Sequence, residues 1–79
     1  MRCLNDMYID EICYIDKVLT KGSIRQRFLD IGLIENTKVK CVLKSPSGDP
    51  KAFLIRDAVI AIRNDDCKDV FIKSHRKKA

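Results

Sequence analysis

The feature that most constrains the fold is a change of apolar period inside residues 22–44, GSIRQRFLDIGLIENTKVKCVLK. Its first half predicts an amphipathic helix with one buried face, because apolar side chains recur every three or four residues. Ser23 is the predicted N-cap, since it forms an S-x-x-Q capping box with Gln26. Gly32 is placed to end the helix, because glycine takes the left-handed C′ conformation without a Cβ penalty. The apolar face consists of Ile24, Phe28 and Ile31.

The second half of this stretch predicts a strand that begins directly after the helix. Asn36 tolerates a positive φ, so Glu35 and Asn36 form the predicted turn. From Thr37 onward the apolar period is two, which is typical of a strand with one buried face. The predicted inward residues are Thr37, Val39, Cys41 and Leu43, and the predicted outward residues are Lys38, Lys40, Val42 and Lys44. The helix is therefore expected to cover one end of a sheet.

The rest of the chain predicts four more short strands, over residues 11–19, 51–56, 59–63 and 67–73. Phe53 and Ile55, Ile60 and Ile62, and Val70 and Ile72 are their expected inward residues. A two-residue hairpin turn is predicted at Asp57-Ala58, and residues 64–66 predict a turn or one helical turn capped by Asn or Asp. Residues 1–9 are expected to be a loose lead-in or a short edge segment. The predicted fold is mostly β, a small barrel of about five antiparallel strands with one α-helix in the first inter-strand connection.

Length and charge favour one small domain over residues 1–73 followed by a disordered basic tail over residues 74–79. The chain has 79 residues and a net charge of +5, but residues 68–79 alone carry +4. We therefore expect no nucleic-acid binding by the domain, and tail-driven binding to nucleic acid remains a lesser alternative. The longest apolar run, residues 58–62, is too short to cross a membrane. With no apolar signal core at its start, the chain is expected to be cytoplasmic, without direct membrane insertion.

The residue types that most often act in catalysis or bind metals are not arranged for either function in this sequence. Four dispersed cysteines, Cys3, Cys13, Cys41 and Cys67, form no C-x-x-C pair and predict reduced, mostly buried thiols. The single histidine, His75, lies in the tail, and no serine or cysteine has an evident base beside it. Asp65, Asp66, Cys67 and Asp69 are expected to point to alternate faces of a strand, so they cannot converge on a metal. The sequence predicts no catalytic residues, no metal site and no cofactor.

Two surfaces are candidate partner-binding sites. The first is the outer face of the helix, where Arg25 and Arg27 are expected in the first turns and Asp30 in the last, against the preference of the helix dipole. These arginines either meet an acidic partner or lie on an ordinary solvated face, with Arg27 and Asp30 forming an i, i+3 pair. The second surface is the loop SPSGDP over residues 45–50. It is either a preorganised docking loop or a stiff hairpin that sets strand register. Its candidate site residues are Pro46, Ser47, Gly48, Asp49 and Pro50.

The same motifs resemble those of a known family. The motifs are Arg25 and Arg27 followed by F-L-D-I-G-L ending at Leu33, the alternating strand, the P-x-G-D-P loop over residues 46–50 and the I-x-I-R hairpin ending at Arg63, and together they resemble the FeoA family. The resemblance covers about residues 10–73. It implies a small cytoplasmic SH3-like barrel associated with ferrous iron transport.

The resemblance also implies a function, which we state as an expectation. The chain would be a non-enzymatic accessory protein that contacts the cytoplasmic region of the FeoB-type membrane GTPase-transporter. Because a similar domain forms the C-terminal part of some iron- and manganese-dependent repressors, the alternative is a regulatory domain that works with such a repressor. Family descriptions mention transition-metal binding, which the residues themselves do not predict.

Overall fold

A computed structural model of the chain describes residues 1–75. Its five strands form one antiparallel sheet that stays open, in the order β4-β3-β2-β1-β5, and a helix lies in the first inter-strand connection as predicted. The predicted mostly-β class is therefore confirmed. No helix in residues 1–75 is long and apolar enough to cross a membrane. In chain order the elements are a 3-10 turn (Leu4–Asp6), β1 (Ile12–Val18), α1 (Gly22–Asp30), β2 (Lys38–Lys44), β3 (Lys51–Ile55), β4 (Ala58–Ile62), α2 (Asn64–Cys67) and β5 (Val70–Lys73).

Helix α1 packs its predicted face on the sheet, but it begins differently from the prediction. Phe28 is 5% exposed, and Ile24 and Ile31 are partly buried against the core. The predicted capping box at Ser23 is wrong, because the helix already begins at Gly22 and Lys21 is its N-cap. Gly22 has a φ of +70°, a conformation that glycine takes readily, and the helix begins two residues earlier than a cap at Ser23 would place it.

The end of α1 agrees with the prediction. Gly32 has a φ of +85°, which favours glycine for the turn, and a Cβ atom there would lie 2.4 Å from Arg56 Nε and would displace this side chain. Asn36 has a φ of +70° in the predicted turn. The chain therefore leaves the helix and enters β2 as the sequence predicts.

A β-bulge in β2 makes one of the predicted inward residues wrong. Val39 and Cys41 are fully buried as predicted, but Leu43 is 61% exposed. The ladder to β3 shifts by one residue between Cys41 and Leu43, so Val42 is an extra residue on β2. Because side chains alternate along a strand, one extra residue turns Leu43 to the solvent side.

The first residues of the chain are part of the core rather than a loose lead-in. Leu4 and Met7 are fully buried. The Ile72 backbone N–H donates to the Arg2 carbonyl at 3.0 Å, and Cys3 forms a β-bridge with Phe71. The N-terminal segment therefore covers β5 at one edge of the sheet.

Several predicted boundaries also differ. The hairpin loop consists of Arg56 and Asp57, with φ values of +49° and +67°, and Ala58 already belongs to β4. Residues 64–67 form one helical turn as predicted, but its N-cap is Arg63 rather than Asn or Asp. Cys67 ends α2 and is not part of β5. Of the predicted tail, residues 76–79 lie outside the described residues.

The cysteines are free, as predicted. Cys13, Cys41 and Cys67 are buried and Cys3 is partly buried, with no disulfide among them. Burial raises the pKa of the Cys67 thiol to about 12, so this group stays a neutral thiol in the core.

Shortening Phe28 should destabilise the protein far more than shortening its exposed neighbour Leu29. Phe28→Ala leaves a cavity between α1 and the sheet and is expected to lower the free energy of unfolding by about 3–5 kcal/mol. Leu29 is 43% exposed, so Leu29→Ala should cost less than about 1 kcal/mol. Urea unfolding of both variants measures the difference. Equal losses would contradict the packing of α1 described above.

An ion pair fixes the N-terminal segment to the start of β1. The guanidinium of Arg2 donates to both carboxylate oxygens of Glu11, with Nη2 2.7 Å from Oε1, and the Tyr8 backbone N–H donates to the same Oε1 at 3.0 Å. These bonds favour the charged carboxylate and lower the pKa of Glu11 to about 2.

The low pKa of Glu11 makes stability depend on pH. A carboxylate with a folded-state pKa below its unfolded value of 4.5 contributes stability above that pH and loses it as the pH falls to about 2. Glu11→Gln should therefore be less stable than the unsubstituted chain at pH 7, with the difference shrinking between pH 4.5 and pH 2. Urea unfolding across this range is the measurement, with Glu35→Gln on an exposed loop as control. A difference that stays constant with pH would contradict the ion pair.

Candidate functional site: a groove beside the open edge of the sheet

A groove of about 410 Å³ lies between α1 and β4, the strand at one end of the sheet. It exists because the sheet stops at β4 and covers only part of the apolar face of α1. Ile24, Ile31 and Ile60 are consequently half-buried and keep part of their surface open to the groove. The lining residues are Ile24, Arg27, Phe28, Ile31, Pro50, Ile60, Ala61, Ile62, Arg63 and Asp66.

The groove brings together two arginine side chains that have no partner within residues 1–75. Arg27 and Arg63 both line it, and neither side chain forms a hydrogen bond or ion pair with another of the described residues. Asp66 is the acidic residue in the lining. Arg27 lies in the last turn of α1, where the helix dipole favours a cation, so its predicted place in the first turns is wrong. The cost of leaving these guanidinium groups unpaired is small only while water or an anion solvates them.

Arg25, the other predicted arginine, has an intramolecular role. Its Nη1 donates to the Val18 carbonyl at 2.8 Å and lies 3.5 Å from the Thr20 carbonyl, so it fixes α1 to the end of β1. The predicted pair of Arg27 with Asp30 does not form in the described part of the chain. Asp30 Oδ1 instead accepts a hydrogen bond from Gln26 Nε2 at 3.0 Å. The structure therefore separates the two arginines, and a binding role for Arg25 stays a prediction.

The loop over residues 45–50 is anchored to the start of α2. Gly48 has the predicted positive φ, +86°, and its backbone N–H donates to the Ser45 carbonyl at 2.8 Å. Asp49 Oδ1 accepts the backbone N–H of Asn64 at 3.0 Å, and Asn64 Nδ2 donates to the Gly48 carbonyl at 3.0 Å. Asp49 thus satisfies a helix N-terminal N–H that the local N-cap, Arg63, leaves unsatisfied.

Only part of the predicted loop surface belongs to the groove. Pro50 is among its lining residues, whereas Pro46, Ser47, Gly48 and Asp49 are not. Pro46 and Ser47 are exposed, and the Ser47 hydroxyl donates to the Asp49 carbonyl at 3.1 Å. Of the predicted site residues, Pro50 of the loop and Arg27 of α1 therefore line the same groove.

Arg63 and the isoleucines beside it were not predicted as site residues. Arg63 follows directly after the continuous apolar run of β4, and a cation at that position would indicate a site if the strand were known to lie at an edge. Strand order within a sheet follows from long-range pairing, which the local sequence pattern does not contain.

No metal centre forms among residues 1–75, where no three His, Cys, Asp or Glu side chains are placed to hold an ion. The acidic cluster at residues 65–69 lies on and after α2 rather than on a strand. Its members diverge: Cys67 is fully buried, with Sγ 3.7 Å from the Ile62 carbonyl oxygen, and exposed Asp65 pairs with Lys68 at 3.3 Å.

The open antiparallel sheet with one helix in its first connection defines a small SH3-like domain. A family model, described as the FeoA domain, matches residues 2–74, and the chain belongs to the FeoA family. The resemblance stated from the motifs is thereby confirmed. No curated protein matches the chain.

Solved structures of FeoA proteins share this fold. FeoA from Chlorobium tepidum superposes with a TM-score of 0.85 at 20% identity, covering 90% of this chain and 68% of its own. A FeoA-like protein from Clostridium acetobutylicum gives 0.82 at 22% identity, over 98% and 90% of the two chains. Stenotrophomonas maltophilia FeoA, described as a prokaryotic SH3 domain protein complexed with zinc, gives 0.81 at 21% identity, over 92% and 91%. At these identities the similarity shows the SH3-like fold alone.

Removing the Asp49 carboxylate tests whether this residue holds the loop in place. Asp49→Ala should lower the free energy of unfolding by about 0.5–2 kcal/mol, as other losses of a helix N-terminal hydrogen bond do. Ser47→Ala, an exposed change in the same loop, should cost no more than about 0.5 kcal/mol. Urea unfolding provides both values. An Asp49→Ala variant as stable as Ser47→Ala would contradict the anchoring role.

Proposed function

We propose that this protein is a non-enzymatic cytoplasmic accessory protein of ferrous iron transport that binds the cytoplasmic region of a FeoB-type membrane GTPase-transporter. Membership of the FeoA family supports the connection with iron transport. The S. maltophilia protein of the same fold is described as a candidate ferrous iron transport activating factor. The observation that carries the binding role is the apolar groove with two unpaired arginines, Arg27 and Arg63.

The groove suits a protein partner that carries apolar and acidic side chains. Its apolar lining is half-exposed, so a partner that covers it gains the free energy of removing that surface from water. Carboxylates of the partner would pair with Arg27 and Arg63, which speeds association and selects against basic partners. The walls are formed by α1, β4 and the anchored end of the 45–50 loop, so little conformational entropy is lost on binding.

The charged groups in the groove favour binding over catalysis. Arginine stays protonated at physiological pH and cannot act as a proton-transfer group, but its planar guanidinium binds carboxylates in a bidentate manner. In this proposal Arg27 and Arg63 are recognition residues, and the transporter carries out both the GTPase and the transport steps.

Charge reversal in the groove tests the proposal. Arg27→Glu and Arg63→Glu should each weaken binding to the purified cytoplasmic region of the transporter at least tenfold, measured by isothermal titration calorimetry. The melting temperature of Arg63→Glu should stay nearly unchanged, because the Arg63 side chain forms no hydrogen bond or ion pair with another of residues 1–75. Arg27→Glu should lower the free energy of unfolding by about 1 kcal/mol, because it replaces a cation in the last turn of α1 with an anion. Lys38→Glu makes the same charge change at an exposed position on β2, outside the groove, and should keep binding close to that of the unsubstituted chain.

Three results would contradict the proposal. They are an unsubstituted chain that does not bind the transporter region, groove variants that bind as well as the Lys38→Glu control, and binding to an iron- or manganese-dependent repressor with none to the transporter. The last result would favour the regulatory alternative.

A further inference from the structure

Within residues 1–75, strand β4 has two residues whose backbone groups pair with no other strand. Its ladder with β3 begins at the pair Ile55 and Ala58, which flanks the two-residue loop of the hairpin. The hydrogen bond that closes a β-turn joins the residues flanking its loop, and hydrogen-bonded and non-hydrogen-bonded pairs alternate along an antiparallel ladder. Ala58, Ile60 and Ile62 therefore bond to β3. The N–H and C=O groups of Val59 and Ala61 point away from β3, to the open edge.

The two edge strands of the sheet differ in whether another segment covers them. At β5 the N-terminal segment covers the edge, with the Ile72 N–H bonded to the Arg2 carbonyl and a bridge between Cys3 and Phe71. Within residues 1–75 no segment pairs with the outer side of β4. Its sequence, AVIAI, contains no charge or proline, the usual means of protecting an edge from pairing. Val59 is 65% exposed.

The groove lies directly along this unprotected edge. Ile60, Ala61 and Ile62 of β4 are among its lining residues, and Arg27 and Arg63 flank its apolar surface. A chain that pairs with β4 would place alternate side chains between β4 and α1, in contact with the isoleucines. Carboxylates at the ends of that chain, beyond its paired residues, would lie within reach of the two arginines, which keep the groove net positive even with Asp66 counted.

We propose that the partner binds by strand addition, with an extended segment of alternating apolar and acidic residues pairing with β4 as a sixth strand. Backbone hydrogen bonds to Val59 and Ala61 would fix its register, and the isoleucines would bind the apolar side chains on its groove-facing side. The arginines would bind the carboxylates at its two ends, which lie beyond the paired residues. The inference takes the transporter as partner from the proposed function, but the edge and the groove stand independently of that identity.

Two other binding modes fit the groove less well. Proline-rich segments dock in grooves lined by aromatic side chains, and Phe28 is the single aromatic residue in this lining and is itself 5% exposed. A partner helix satisfies its own backbone groups, so it would leave Val59 and Ala61 unpaired.

Amide hydrogen exchange followed by NMR tests strand addition directly. The unsubstituted protein is measured alone, with the transporter's cytoplasmic region, and with a synthetic peptide of sequence EVEIEVE. A peptide of the same composition without alternation, EEEEVIV, is the control. In the complexes with the transporter region and with EVEIEVE, the amides of Val59 and Ala61 should exchange at least tenfold more slowly than in the protein alone. The amides of Ile60 and Ile62 are already protected by their hydrogen bonds to β3. EEEEVIV should produce no such protection.

A substitution pair provides the second measurement. Ala61→Pro removes an outward N–H without removing a bond to β3, and should weaken binding at least tenfold, whereas Ala61→Ser should not. If Ala61→Pro does not fold, the exchange measurement on the unsubstituted chain tests strand addition without it.

The outcomes separate this inference from the proposed function. A transporter complex without protection of Val59 and Ala61 would overturn strand addition and leave the proposed function standing. Protection by EVEIEVE without binding of the transporter region would support the edge as a binding site and contradict the proposed partner. Protection that appears without ligand and grows with protein concentration would assign the edge to a second copy of the chain and overturn the inference.

Discussion

The burial of one apolar face of α1 against a sheet that is too small to cover it determines the rest of this structure. Phe28 is inserted into the core, and Ile24 and Ile31 lie at its margin. Because the sheet ends at β4, the same contact that stabilises the fold leaves a half-exposed apolar groove at the margin. Folding and the candidate function therefore depend on one packing interaction, and the site needs no element beyond those the fold requires.

The sheet is asymmetric, and the asymmetry locates the site. One edge is covered by the N-terminal segment, which the ion pair of Arg2 with Glu11 and the fully buried Leu4 hold in place. At the other edge no part of residues 1–75 pairs with β4, which lies beside two arginine side chains that have no partner among these residues. Covering the first edge removes a surface on which chains could associate nonspecifically. An open edge beside a charged, apolar groove is the one that a specific partner can use.

The sequence predicted features that depend on neighbouring residues and missed those that depend on long-range pairing. Gly32 and Asn36 were correctly assigned because positive φ is a local property that few residue types tolerate. Leu43 was assigned to the wrong face because a bulge depends on the partner strand. The burial of Leu4 was not predicted because its contacts lie far along the chain. Arg63 was missed as a site residue for the same reason, since strand order decides which strand is an edge.

A partner is proposed to bind in the groove between α1 and β4. A titration of the isotope-labelled protein with the transporter's cytoplasmic region, followed by backbone amide NMR, tests this claim most directly. We predict the largest shift changes at Ile24, Arg27, Ile60 and Arg63, with little change on the opposite face around Lys38. Shift changes centred on Lys38, with the groove amides unmoved, would contradict it.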